Sequence, residues 1–84
     1  MPDKTRQEVL ADCNELFGFI PTADTTGELG RAKRGLEQTI VTNEIRDVMH
    51  RLADAQGEQA RLLRIRLELM RTTARLLGFK NHLA

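Results

Sequence analysis

The stretch that decides the fold is "ARLLRIRLELMRTTARLLGF", residues 60–79. Its centre, Leu63-Arg64-Ile65-Arg66-Leu67-Glu68-Leu69, alternates apolar and charged residues as a half-buried strand does. The same segment also satisfies a helix. Leu63, Leu67, Met70, Ala74 and Leu77 recur at intervals of four, three, four and three, the rhythm of a helical seam. Leu, Arg, Met and Glu are strong helix formers, β-branched residues are few, and the seam outlasts the alternation, so the pattern predicts a helix over about 58–78. A second apolar line, Leu62, Ile65, Leu69 and Leu76, lies one residue out of step and is rotated by about 100°. Two seams require two partners, and these four residues are the expected oligomer interface unless another helix of the chain covers them.

Upstream, "AQGEQ" at 55–59 reads as a turn, and a connection that short favours antiparallel neighbours. Before it lies a second helix over about 27–54, with the apolar line Leu29, Ala32, Leu36, Ile40, Val41, Ile45, Val48, Leu52 and Ala55. From Val41 onward the spacing is again four, three, four, three. Thr25 or Thr26 can cap it, with Glu28 placed for a capping box with Thr25. Gly30 and Gly35 each weaken its first turns by about 1 kcal/mol relative to Ala. "FIPTADTTGELG" collects turn-favouring residues and predicts a loop over about 19–26. The first helix, over about 3–18, aligns Val9, Leu10, Cys13, Leu16, Phe17 and Ile20, with Pro2 and Asp3 in its first turn. The expected fold is one all-α domain across 1–84, a short N-terminal amphipathic helix plus a long antiparallel helical hairpin.

The chain twice writes Leu-x-Gly-Phe, at 16–19 and 76–79. Both copies fall where a helix ends, so Gly18 and Gly78 suit the left-handed residue of a C-cap, followed by a Phe that folds back in a Schellman motif. Phe17, Phe19 and Phe79 are every aromatic in the protein, and a thin core predicts that the two helix ends feed one apolar cluster.

With 84 residues, 40% apolar and 30% charged, the chain has the composition of a small helical protein whose limited core favours oligomerisation. Its one Cys forbids an internal disulfide, no secretory pattern opens it, and no apolar run approaches the ~18 residues of a membrane span. A cytoplasmic protein without a membrane partner is expected. The net charge of +1 conceals an asymmetry. Residues 1–30 carry two basic and six acidic side chains and residues 31–84 eleven and six, a balance of −4 against +5.

The polar side of the third helix carries Arg61, Arg64, Glu68, Arg71 and Arg75. Such a stripe fits a phosphate-contacting ridge, or a solvated face paired with Glu37, Glu44, Asp47 and Asp54 of the second helix. In an antiparallel hairpin, Arg31, Lys33 and Arg34 come near Arg71, Arg75, Lys80 and His82. Three cations at a helix N-terminus oppose its dipole, so helix stability does not explain "GRAKRG", whereas an anion between them would. Arg31, Lys33, Arg34, Arg71, Arg75 and Lys80 are therefore the candidate nucleic-acid-binding residues, reading backbone rather than bases because Tyr and Trp are absent. Gly27, Gly30 and Gly35 fit neither a phosphate loop nor a dinucleotide fingerprint. His50, His82 and Cys13 lack ligand-spaced companions, so no metal, cofactor or catalytic set is expected and the protein reads as a non-enzyme.

Arg-rich amphipathic helices closing with "RTTARLLGF" resemble the C-terminal helical parts of phage small terminase subunits, over residues 60–79 at most. The resemblance implies an oligomer in a phage or mobile-element setting that binds viral DNA. Many members carry an N-terminal helix-turn-helix domain, whereas one acidic helix precedes the hairpin here. The leading expectation is a small helical homo-oligomer binding nucleic-acid backbone. The alternative is a helical protein-binding module, such as an inhibitor or antiactivator, whose second seam docks on a protein partner.

Overall fold

The computed structural model describes residues 4–22 and 26–80, which form three helices and no strand. They are α1, Arg6–Phe17; α2, Gly27–Asp54; and α3, Gly57–Leu76. The alternating segment at 63–69 lies wholly inside α3, so the helical seam prevails over the strand pattern. None of the helices is long and apolar enough to cross a membrane among the described residues.

Helix α1 starts at Arg6, later than the expected start near residue 3. Thr5 caps it through a capping box in which the Glu8 N–H donates to Thr5 Oγ1 at 3.2 Å and the Thr5 N–H donates to Glu8 Oε1 at 3.4 Å. Pro2 and Asp3, expected in the first turn, lie outside the described residues, as do Thr25 and His82. Thr26 is the N-cap of α2. Ala55 and Gln56, both extended, make the whole connection from α2 to α3.

The two Leu-x-Gly-Phe ends use different stops. After α3, the Phe79 N–H donates to Ala74 O at 2.9 Å and the Gly78 N–H to Arg75 O at 3.0 Å, the paired bonds of a Schellman motif. After α1, the Gly18 N–H donates to Asn14 O at 2.9 Å, the single bond of the simpler left-handed cap. Both glycines sit at φ 80°, where an L side chain is strained. Both ends do feed one cluster: Phe19 meets Phe79 edge-on with centroids 6.1 Å apart, and Phe17 lies 6.4 Å from Phe19.

The core is built by Cys13 and Phe17 of α1, Val41, Ile45 and Val48 of α2, and Leu67, Met70 and Ala74 of α3, closed by Phe79. Leu63 and Leu77 pack against it, so the first seam of α3 is its core face as expected. Two apolar lines behave otherwise. Ile20 is 69% exposed, because Gly18 has ended the helix whose face it was expected to continue. On α2, Leu29 and Leu36 are 70% and 68% exposed and Ala32 is exposed too. The buried face instead runs backward from Val41 through Glu37, half-buried Arg34 and Gly30. That line keeps the four-three rhythm, whereas Leu29, Leu36 and Ile40 lie about 100° off it.

Candidate functional site

The start of α2 is fastened to the end of α3 by side chains that reach the α3 terminus. Arg34 Nη2 donates to Leu77 O at 2.7 Å, and its guanidinium carbon lies 3.9 Å from the centroid of the Phe79 ring. One cation thereby satisfies a terminal carbonyl, complements the negative end of the helix and stacks on an aromatic face. Gln38 works one turn further on. Its Oε1 accepts from the Lys80 N–H at 2.8 Å, and its Nε2 donates to Lys80 O.

These contacts divide the six cations expected to form one anion site. Arg34 is spent on the α3 terminus and Phe79. Arg71 turns away from the α2 start: Nη2 lies 3.8 Å from Met49 Sδ, and its buried Nε has no partner among the described residues. Arg31, Lys33, Arg75 and Lys80 are exposed and form no ion pair with described residues. Arg31 and Lys33, two residues apart, diverge by about 200° around the helix. Arg31 lies one heptad before Gln38, on the flank that meets Lys80, whereas Lys33 falls in line with Leu29, Leu36 and Ile40.

Pairing of the α3 stripe with α2 carboxylates does not occur among the described residues. Arg61 pairs with Glu58 in its own helix at 3.7 Å, and Asp47 with Arg51 at 3.1 Å. Glu37, expected on a solvated face, is buried. Its Oε2 accepts from both the N–H and the Oγ1 of Thr22 at 2.9 Å, pinning the loop after α1 to α2, while buried Oε1 has no partner among the described residues. Burial and then the charge of Glu37 push the Cys13 thiol up to about 11, with Arg34 acting in the opposite sense. A fully enclosed thiol held in its neutral form is a packing group and not a nucleophile. No cluster of His, Cys, Asp and Glu suited to a metal occurs among the described residues.

The second seam of α3 remains open: Leu62, Ile65, Leu69 and Leu76 are between 46% and 59% exposed. Helix α1 packs beside it without covering it. Between the two helices runs a groove of about 340 Å³ with an apolar floor of Leu16, Leu62, Ile65 and Leu69 and a charged rim of Lys4, Asp12, Glu15 and Arg66. Lys4 Nζ donates to Asp12 Oδ2 at 2.5 Å, a bond that raises the lysine pKa, while Glu15 makes no ion pair with a described residue.

Sequence reasoning missed three participants: Glu37, Gln38 and the exposed line on α2. Continuing the four-three count backward from Val41 would have found Glu37 and Arg34 on the buried face. Nothing in the sequence distinguishes Gln38 as the partner of Lys80. No protein-family model, curated protein or solved structure matches this chain.

Proposed function

We propose that the chain is a non-enzymatic helical homo-oligomer that binds an anionic partner, nucleic-acid backbone foremost, at the end where α2 starts and α3 finishes. Helices α2 and α3 run as an antiparallel hairpin in this reading, supported by the Arg34 bond to Leu77 and the Gln38 bonds to Lys80. The observation that carries self-association is the open seam of Leu62, Ile65, Leu69 and Leu76, four large apolar residues at helical spacing that the described chain leaves about half exposed. Arg31, Arg75 and Lys80 form the reduced anion site, with Lys33 on the opposite flank. Three or four phosphate contacts imply modest, strongly salt-dependent affinity. The likeness of residues 60–79 to phage small terminase subunits supports a phage or mobile-element setting.

A mass measurement of the native complex with and without nuclease tests both parts at once. A multiple of the 9.5 kDa chain is expected, with extra mass that nuclease removes. A retardation assay at two salt concentrations should show the shift weakening with salt, and no shift even at low salt refutes the nucleic-acid part.

A second reading, a protein-binding module such as an inhibitor or antiactivator, gains support from the diversion of Arg34 and Arg71 to internal contacts. Their loss weakens the cationic site and leaves the apolar faces as the larger unexplained surface. Recovery of a stoichiometric foreign protein, with no nucleic acid, would favour it.

A further inference from the structure

The chain has two separate open apolar faces. One is the α2 line Leu29-Lys33-Leu36-Ile40, spaced four, three and four. The other is the groove between α1 and α3, floored by Leu16, Leu62, Ile65 and Leu69. They share no residue, so one molecule can use both at once.

The geometry points to a second copy of this chain as the occupant of the groove, seated there through its α2 line in a head-to-tail contact. This deepens the homo-oligomer reading and rests on it. Charge selects the pairing. The α2 line carries one cation near its middle, Lys33, and no ion pair with described residues occupies it. The groove rim offers Glu15, likewise without an ion pair among the described residues, beside Asp12. A two-fold contact of α2 line against α2 line would bring the two Lys33 side chains together, whereas the α1 side of the groove presents Glu15, unpaired among the described residues, with Asp12 paired to Lys4 and Arg66 across the groove on α3. Length agrees as well: Leu29 to Ile40 spans roughly 16 Å of helix, and so does the α3 wall of the groove from Leu62 to Thr73. Both faces retain one open copy after each docking event, so the contact adds further subunits until it closes on itself.

Complementary knock-outs test this by light scattering. Leu36→Glu spoils the α2 line and leaves the groove intact, while Leu69→Glu spoils the groove and leaves the line intact. Leu36 is 68% and Leu69 46% exposed, so both variants should fold, with far-UV circular dichroism as the check. Each variant alone is expected to be monomeric, and an equal mixture to form a one-to-one dimer of twice the monomer mass. A wild-type oligomer whose mixed variants stay monomeric, or a Leu36→Glu variant of unchanged mass, overturns the head-to-tail contact while sparing the homo-oligomer reading. A monomeric wild type overturns both. Should Leu69→Glu fail to fold, the charge exchange decides. Lys33→Glu and Glu15→Lys should each weaken association roughly tenfold, equivalent to about 1.4 kcal/mol, and together restore it. Additive weakening in the double variant refutes the pairing.

Discussion

Replacing Phe79 by Ala removes the ring that joins both helix ends. Phe79 is 5% exposed, meets Phe19 edge-on and lies under the Arg34 guanidinium. Truncating a buried Phe costs about 3–5 kcal/mol where the wall cannot collapse. The aromatic pair accounts for about 0.5–1.5 kcal/mol of such a loss and the cation for about 0.5–1 kcal/mol. The ring sits past the end of α3, where backbone can partly relax, which places the expected loss near the lower bound at about 3 kcal/mol. A domain of this length is stable by roughly 4–13 kcal/mol, so the variant loses a large part of its margin. Urea unfolding followed by far-UV circular dichroism, at one fixed protein concentration because association adds to apparent stability, should show the midpoint falling by about 2–3 M. Phe79→Leu retains most of the buried area and should cost about 1 kcal/mol. Crossing Phe79→Leu with Arg34→Met isolates the cation, with an expected coupling of about 0.5–1 kcal/mol. A loss below about 1 kcal/mol for Phe79→Ala would mean that the ring is solvent-exposed and that the two helix ends do not share a cluster.

Other perturbations separate neighbouring causes. Gly78→Ala should cost about 2 kcal/mol and Gly18→Ala about 1 kcal/mol by thermal unfolding: both sit at φ 80°, but only at Gly78 would the new Cβ meet another group, Arg34 Nη2 at 3.3 Å. Equal losses would remove the role given to that contact. Thr5→Ala should cost about 1 kcal/mol by ending the capping box, with Thr5→Ser nearly neutral as the control. Alkaline unfolding probes Cys13. Its folded value is raised from 9.0 to about 11, so between those pH values the unfolded chain binds fewer protons than the folded one. That contribution to stability is complete below pH 9 and is lost as pH rises toward 11. Cys13→Ala should flatten the decline measured by urea titrations across that window, and an unchanged slope would assign it to other groups.

The fold was legible where periodicity and punctuation agreed. The α3 seam, the turn at 55–59 and the glycine stops each announce themselves, because helical spacing and left-handed backbone are local properties. The start of α2 was misread because its most apolar residues are not its buried ones. Leu29 and Leu36 are exposed while Glu37 is enclosed, a choice set by what α1 and the loop after it place against the helix. The same blindness affected the basic cluster. Sequence put six cations at one end, but it could not show that Arg34 would cap Leu77 or that Arg71 would reach Met49, since both depend on side-chain direction across a helix pair. The open seam of Leu62, Ile65, Leu69 and Leu76 was visible as an excess of apolar surface, though its occupant was not.

The polar half of the α2 inner face has a further consequence. An apolar seam of Val41, Ile45 and Val48 against Leu67, Met70 and Ala74 would tolerate sliding by one heptad, because each step exchanges one aliphatic contact for another. Arg34 and Gln38 do not permit it: a shift of seven residues strips Leu77 of its donor and Lys80 of its amide partner together, while Glu37 ties α2 to Thr22 of the loop after α1. These side chains act as a registration key, fixing one alignment of the helices at some cost in cohesion. A chain carrying Arg34→Leu, Glu37→Leu and Gln38→Leu is expected to hold together as well or better, and to lose the single alignment that keeps its outer faces in place.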